Sequence, residues 1–190
     1  MNKNSLQILI VLIVIVLTTL MRIFNTQFHI YHLVPIAALG IFSGSILSNK
    51  PIAYAIPLLA MLLSDIGIGL LTNTPGFYGI SQFVNYGALA LITFTGTFLT
   101  NRKVLNIAGF SIGGSLLFFV LSNFGAFLSE LYPMNLQGFI ECYAMAIPFY
   151  KSELASTFFF NSFLGDLLFS FAAFGIYQGV KSYFTSLKTA

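Results

Sequence analysis

LQILIVLIVIVLTTLMRIF, from Leu6 to Phe24, decides the fold. As a helix rising 1.5 Å per residue this run reaches about 28 Å, the thickness of a bilayer's hydrocarbon core. Its one charge, Arg22, stands near the end. No small-residue A-x-A cleavage pattern follows, so the run reads as a retained first helix rather than a cleaved leader.

Working outward, further apolar runs fall at about 33–48, 52–71, 82–100, 104–128 and 154–179, separated by short polar connectors. The expected fold is therefore all-α: a single membrane domain over 1–190, an integral bundle of six transmembrane helices. The second run is the shortest. An apolar piece from Leu136 to Tyr150, flanked by Glu, reads as a short interfacial or re-entrant helix before the last span.

Composition agrees. Of 190 residues, 57% are hydrophobic and 7% charged, against about 25% charged in soluble domains. The lipid bilayer is the expected solvent. The basic residues are scattered, with Arg102-Lys103 the one adjacent pair, so the net charge of +3 does not point to nucleic acid. Cys142 stands alone, which excludes an intrachain disulfide.

Charge also orients the bundle. Six spans place Lys3, Lys50, Arg102, Lys103, Lys181 and Lys188 on one side, and Arg22 and Lys151 on the other. The positive-inside rule then puts both termini in the cytoplasm.

Ionisable groups in apolar helices cost at least ~2.5–3.5 kcal/mol on insertion scales, so each requires a reason. Counting along the spans puts Arg22 and Asp65 towards the outer side and Asp166 near the midplane. Asn85 and Asn123 fall near the outer ends of spans four and five, with Tyr86 and, in the long connector, Tyr143. Amides beside aromatic faces suit a heterocyclic, vitamin-like solute, and these seven residues are the candidate substrate-binding set. The structural alternatives are an Arg22–Asp pair pinning two helices, a protonated Asp166 on a backbone carbonyl, and amides bonded between helices.

His29-x-x-His32, with Glu141 and Cys142, is too loose a pattern to define a metal site, and no cofactor is expected. Gly40-x-x-x-Gly44 permits close helix approach, within the bundle or to a partner. Ser64-Asp65-Ile66 and Gly165-Asp166-Leu167 form a faint repeat. No phosphate-binding G-x-x-x-x-G-K-[ST] loop and no H-E-x-x-H is present. Neither ATP hydrolysis nor other catalysis is expected of this chain.

Several ordered segments carry a resemblance. They are Val34 to Gly44, Pro57-Leu58, Leu63-Ser64-Asp65, Ser122-Asn123-Phe124-Gly125, Tyr132-Pro133, Gly138, Cys142-Tyr143, Ile147-Pro148-Phe149 and Leu164-Gly165-Asp166-Leu167. Together they resemble a family of small bacterial six-helix transport proteins of unknown function. That family is similar to the substrate-binding (S) components of energy-coupling-factor transporters. The resemblance spans about Arg22 to Ile176. It departs at His32-Leu33-Val34 and Phe127, and the first span lacks the Ala-x-x-x-Ala common in S components. It implies a subunit of the bacterial inner membrane that binds a micronutrient from outside and works with a coupling transmembrane protein and ATPases. Two other readings stand beside it: a self-sufficient proton-coupled transporter or channel using Asp65 and Asp166, and a non-catalytic membrane scaffold.

Overall fold

Polar connectors end the apolar runs where local chemistry favours a helix boundary. The Asn49 side chain accepts from the Ile52 amide at 3.2 Å and Pro51 sits in the first turn, starting one helix. Gly79, at φ 69°, precedes the next. A computed structural model describes residues 3–28, 35–146 and 152–189. It has helices α1 (Lys3–Gln27), α2 (Ile36–Ile46), α3 (Lys50–Leu71), α4 (Ile80–Gly96), α5 (Val104–Leu128), α6 (Leu136–Ala146) and α7 (Ser152–Thr189), with no strand among the described residues.

Three stretches among the described residues are long and apolar enough to cross a membrane: Lys50–Leu71, Val104–Leu128 and Phe163–Tyr183. Their outward faces, and that of α1, carry exposed Leu, Ile, Val and Phe such as Leu17, Leu70, Leu105 and Leu168. A contiguous apolar exterior of this kind is solvated by lipid, not water.

Within the second apolar run, expected over 33–48, the described helix α2 has 11 residues, about 16 Å, half a hydrocarbon core; residues 29–34 lie outside the described ones. Every residue from Ile36 to Gly44 is buried, as a helix apolar on all sides requires. It runs through the centre of the bundle, touching α3, α4, α5 and α7. Ile41 packs there with Leu89, Ile92 and Phe174.

Close packing explains the glycines of α2. A Cβ on Gly44 would strike the Thr93 carbonyl oxygen, and one on Gly96 would lie 2.6 Å from the Ile41 carbonyl oxygen. Gly40 and Gly44 thus serve the α2–α4 contact inside the chain. On the other side, Pro57 lacks the N–H that would bond the Ala53 carbonyl. The buried Ser43 hydroxyl donates to that carbonyl instead, at 2.8 Å.

Candidate functional site

Arg22, more than one turn before the end of α1, faces α3. Its guanidinium donates to Asp65 Oδ1 at 2.8 Å, to the Met61 carbonyl at 3.2 Å, and to Ser64 Oγ. On the far side of Asp65, Gln82 Nε2 and the Tyr86 hydroxyl donate to Oδ2 at 3.1 and 3.0 Å. Gln82 and Tyr86 are one turn apart and share a face of α4. Asp65 is buried, at 1% exposure, and Arg22 is partly buried, at 13%. Both carboxylate oxygens are engaged, and the network binds α1, α3 and α4 together.

The connector after α3 folds back onto it. A Cβ on Gly76 would collide with the Asp65 carbonyl oxygen, so glycine allows the return. Tyr78 is thereby brought beside Arg22 and Asn85, and Asn85 Nδ2 donates to its hydroxyl at 3.2 Å. Burial raises the Tyr78 pKa, against the opposing pull of the Asn85 hydrogen bond.

Asp166 has a different task. Its Oδ1 accepts from the Ala38 amide at 3.1 Å, and its Oδ2 from the Ser115 hydroxyl at 2.9 Å. Pro35 at the N-cap of α2 offers no side-chain acceptor. A carboxylate from α7 therefore caps α2 from outside its own sequence and meets the positive end of its dipole. One turn along, the Ser170 and Ser111 hydroxyls lie 3.1 Å apart, continuing a polar seam between α5 and α7. At the opposite end of α2, Lys50 Nζ donates to the Gly44 and Leu47 carbonyls, both at 3.2 Å. Arg102 donates to Ser45 Oγ at 2.8 Å and to the Ser45 carbonyl. A carboxylate at its start and cations at its end satisfy the termini of a buried half-length helix.

A cleft of about 350 Å³ opens beside this scaffold, between α4, α5, α6 and α7. The Asn85 and Asn123 amides and the Ser115 and Ser122 hydroxyls line it, with Phe118, Phe119, Tyr132 and Phe163 as aromatic walls. Asn123 Nδ2 donates to the Phe119 carbonyl at 2.8 Å. Cys142 closes the α6 side, donating to the Asn123 backbone carbonyl at 3.3 Å. Burial raises the Tyr132 and Cys142 pKa values, so both stay neutral at pH 7. Asn85 Oδ1 is buried with no hydrogen-bond partner, the one such side-chain atom among the described residues.

The seven candidates from sequence thus separate. Asn85 and Asn123 line one cleft. Arg22, Asp65 and Tyr86 form the neighbouring network, bonded to one another rather than to the cleft. Asp166 reaches the cleft only through Ser115. Tyr143 packs behind it, ring against Phe119 and Phe139, with its hydroxyl donating to the Val120 carbonyl at 2.8 Å. Asp65 and Asp166, alike in sequence context, have unlike partners, and their surroundings do not repeat. Sequence reading missed Gln82, Tyr78 and Phe163. The i, i+4 spacing of Gln82 and Tyr86 was the signal available for the first.

Gly109-Phe110-Ser111-Ile112-Gly113 spells G-x-S-x-G. It lies inside α5 with Ser111 bonded to Ser170, not on the strand-to-helix turn that exposes a nucleophile. His29 and His32 lie outside the described residues.

Apolar helices, buried polar networks and a cleft with amide and aromatic walls define a helical protein built for a lipid environment. The chain belongs to a family of unknown function, DUF6580, whose profile matches residues 2–187. No curated protein and no solved structure matches it.

Proposed function

We propose that this protein is the solute-binding subunit of a micronutrient uptake system, similar to the S component of an energy-coupling-factor transporter. The observation that carries the reading is the neutral, aromatic-lined cleft, whose lining includes Asn85, a side chain with a buried oxygen that has no hydrogen-bond partner. Buried polar atoms without partners are rare and usually wait for a ligand or water. A cleft of this size suits a small heterocycle, stacked on the aromatic walls and bonded to the Asn85 and Asn123 amides. The ligand would be uncharged where it meets the cleft, since no ionised side chain lines it among the described residues.

In this reading the chain crosses the bacterial inner membrane six times. In it α6 is a re-entrant or interfacial cover over the cleft. The excess of Lys and Arg on one side favours cytoplasmic termini, an orientation in which the cleft faces outward. Energy for uptake would come from a coupling transmembrane protein and ATPases. The proton-coupled alternative is disfavoured by the engagement of Asp65 and Asp166 in fixed hydrogen bonds.

Mass spectrometry of small molecules that co-purify with the protein tests this function. A heterocycle retained by the wild type and lost from Asn85→Ala is expected. In liposomes the lone protein should bind it without uphill uptake under a proton gradient. Uphill uptake by the lone chain would refute the subunit reading. Topology is checked in a Cys142→Ser background: Asn49→Cys and Ser186→Cys should label only after permeabilisation, and Met134→Cys in intact cells. Labelling of position 186 from outside would sink the six-span arrangement.

A further inference from the structure

A second cleft, of about 630 Å³, lies at the other end of the bundle, between the α4–α5 connector and the last part of α7. Its chemistry is unlike that of the first. Arg102 and Lys181 bring two cations to its wall, and Asn101, Tyr177, Gln178 and Ser182 add amides and hydroxyls. No acidic side chain lines it among the described residues. Arg102 is held in place, since Nε and Nη2 donate to Ser45 at the end of α2. A guanidinium fixed in this way needs no further ordering to receive an anion.

Its level in the bundle is also set. The apolar helix α5 begins at Val104, two residues after Arg102. A span beginning at Val104 would bring Arg102 and this cleft to the level of the lipid phosphates. Basic pockets between membrane helices at this depth suit anionic head groups.

The geometry points to a phosphate-binding site formed by Arg102 and Lys181, occupied by the head group of an anionic phospholipid or by free phosphate. Charge-assisted hydrogen bonds from the guanidinium and ammonium would hold the phosphate oxygens, with the neighbouring hydroxyls and amides as further donors. Since Arg102 also bonds Ser45, an anion here would brace the end of α2 whose other end Asp166 caps.

The test uses the purified full-length chain in zwitterionic detergent, with lipid binding followed by native mass spectrometry. Phosphatidylglycerol should bind more tightly than phosphatidylcholine of equal chain length. Lys181→Gln should weaken phosphatidylglycerol binding about fivefold, the effect of removing one basic residue at an anionic surface. Lys103→Gln, which removes a cation outside the cleft, should leave it unchanged. Arg102→Gln should do at least as much as Lys181→Gln, but it also loses the Ser45 contact, so Lys181→Gln is the deciding variant. Displacement of the lipid by inorganic phosphate would show that the phosphate group suffices. Retention against phosphate would assign the site to the intact lipid. Equal binding of the two lipids, or wild-type phosphatidylglycerol binding by Lys181→Gln, would overturn the assignment.

Discussion

Removing one partner of the Arg22–Asp65 pair should be far more damaging than removing both charges. Arg22 and Asp65 are 13% and 1% exposed, so the Asp65 charge cannot turn to water when its partner is lost and Arg22 can do so only in part. Breaking a buried pair from one side costs about 3–5 kcal/mol, whereas replacing both partners with uncharged groups is close to neutral in many proteins. Asp65→Asn keeps the side-chain shape and an oxygen for Gln82 and Tyr86, but strands the Arg22 charge. Arg22→Met keeps much of the volume and strands the Asp65 charge. Each single variant should therefore destabilise by about 3 kcal/mol or more, over a hundredfold in the folded-to-unfolded ratio. The double variant should cost less than the sum by at least about 2 kcal/mol, because no buried charge remains. Cys142 supplies the assay: it is the chain's one cysteine and is 2% exposed, so thiol labelling during denaturant titration reports unfolding. Additive single effects, or singles each below about 1 kcal/mol, would refute the account of this network as the clamp on α1.

Three further outcomes follow from the same structure. Asn85→Ala and Asn123→Ala should lose the co-purifying solute while keeping the wild-type thiol-labelling midpoint; loss of stability with unchanged retention would move the site elsewhere. Asp166→Ala should destabilise by about 1–3 kcal/mol, since the Ala38 amide and Ser115 hydroxyl lose a buried acceptor. Asp166→Asn, keeping one oxygen, should cost less, and the two midpoints in the labelling assay decide it. Gly44→Ala must push α2 away from the Thr93 carbonyl and should cost about 1–3 kcal/mol by overpacking; an unchanged midpoint would mean that the two helices pack more loosely at this point.

The apolar runs, the helices they form and their lipid-facing character were legible in the sequence, because hydrophobic length and turn punctuation are local properties. α3 and α5 begin and end within two residues of the expected 52–71 and 104–128. So was the suspicion that each acidic residue in an apolar helix must have a partner, since the cost of desolvating a charge does not depend on the fold. Which partner it has could not be read from the chain. Asp65 meets an arginine 43 positions earlier, and Asp166 caps an amide 128 positions away. Two loosely similar local contexts therefore serve an ion pair in one case and a helix cap in the other. The half-length of α2 was hidden for the same reason. Its apolar sequence runs on far enough to suggest a full span, but its first turn is fixed by a carboxylate on α7 and its last by Lys50 and Arg102. Helix termini depend on what satisfies their unpaired backbone groups, and here the partner at the first turn and one of the two at the last come from elsewhere in the fold. The cleft, likewise, exists only where α4, α5, α6 and α7 converge.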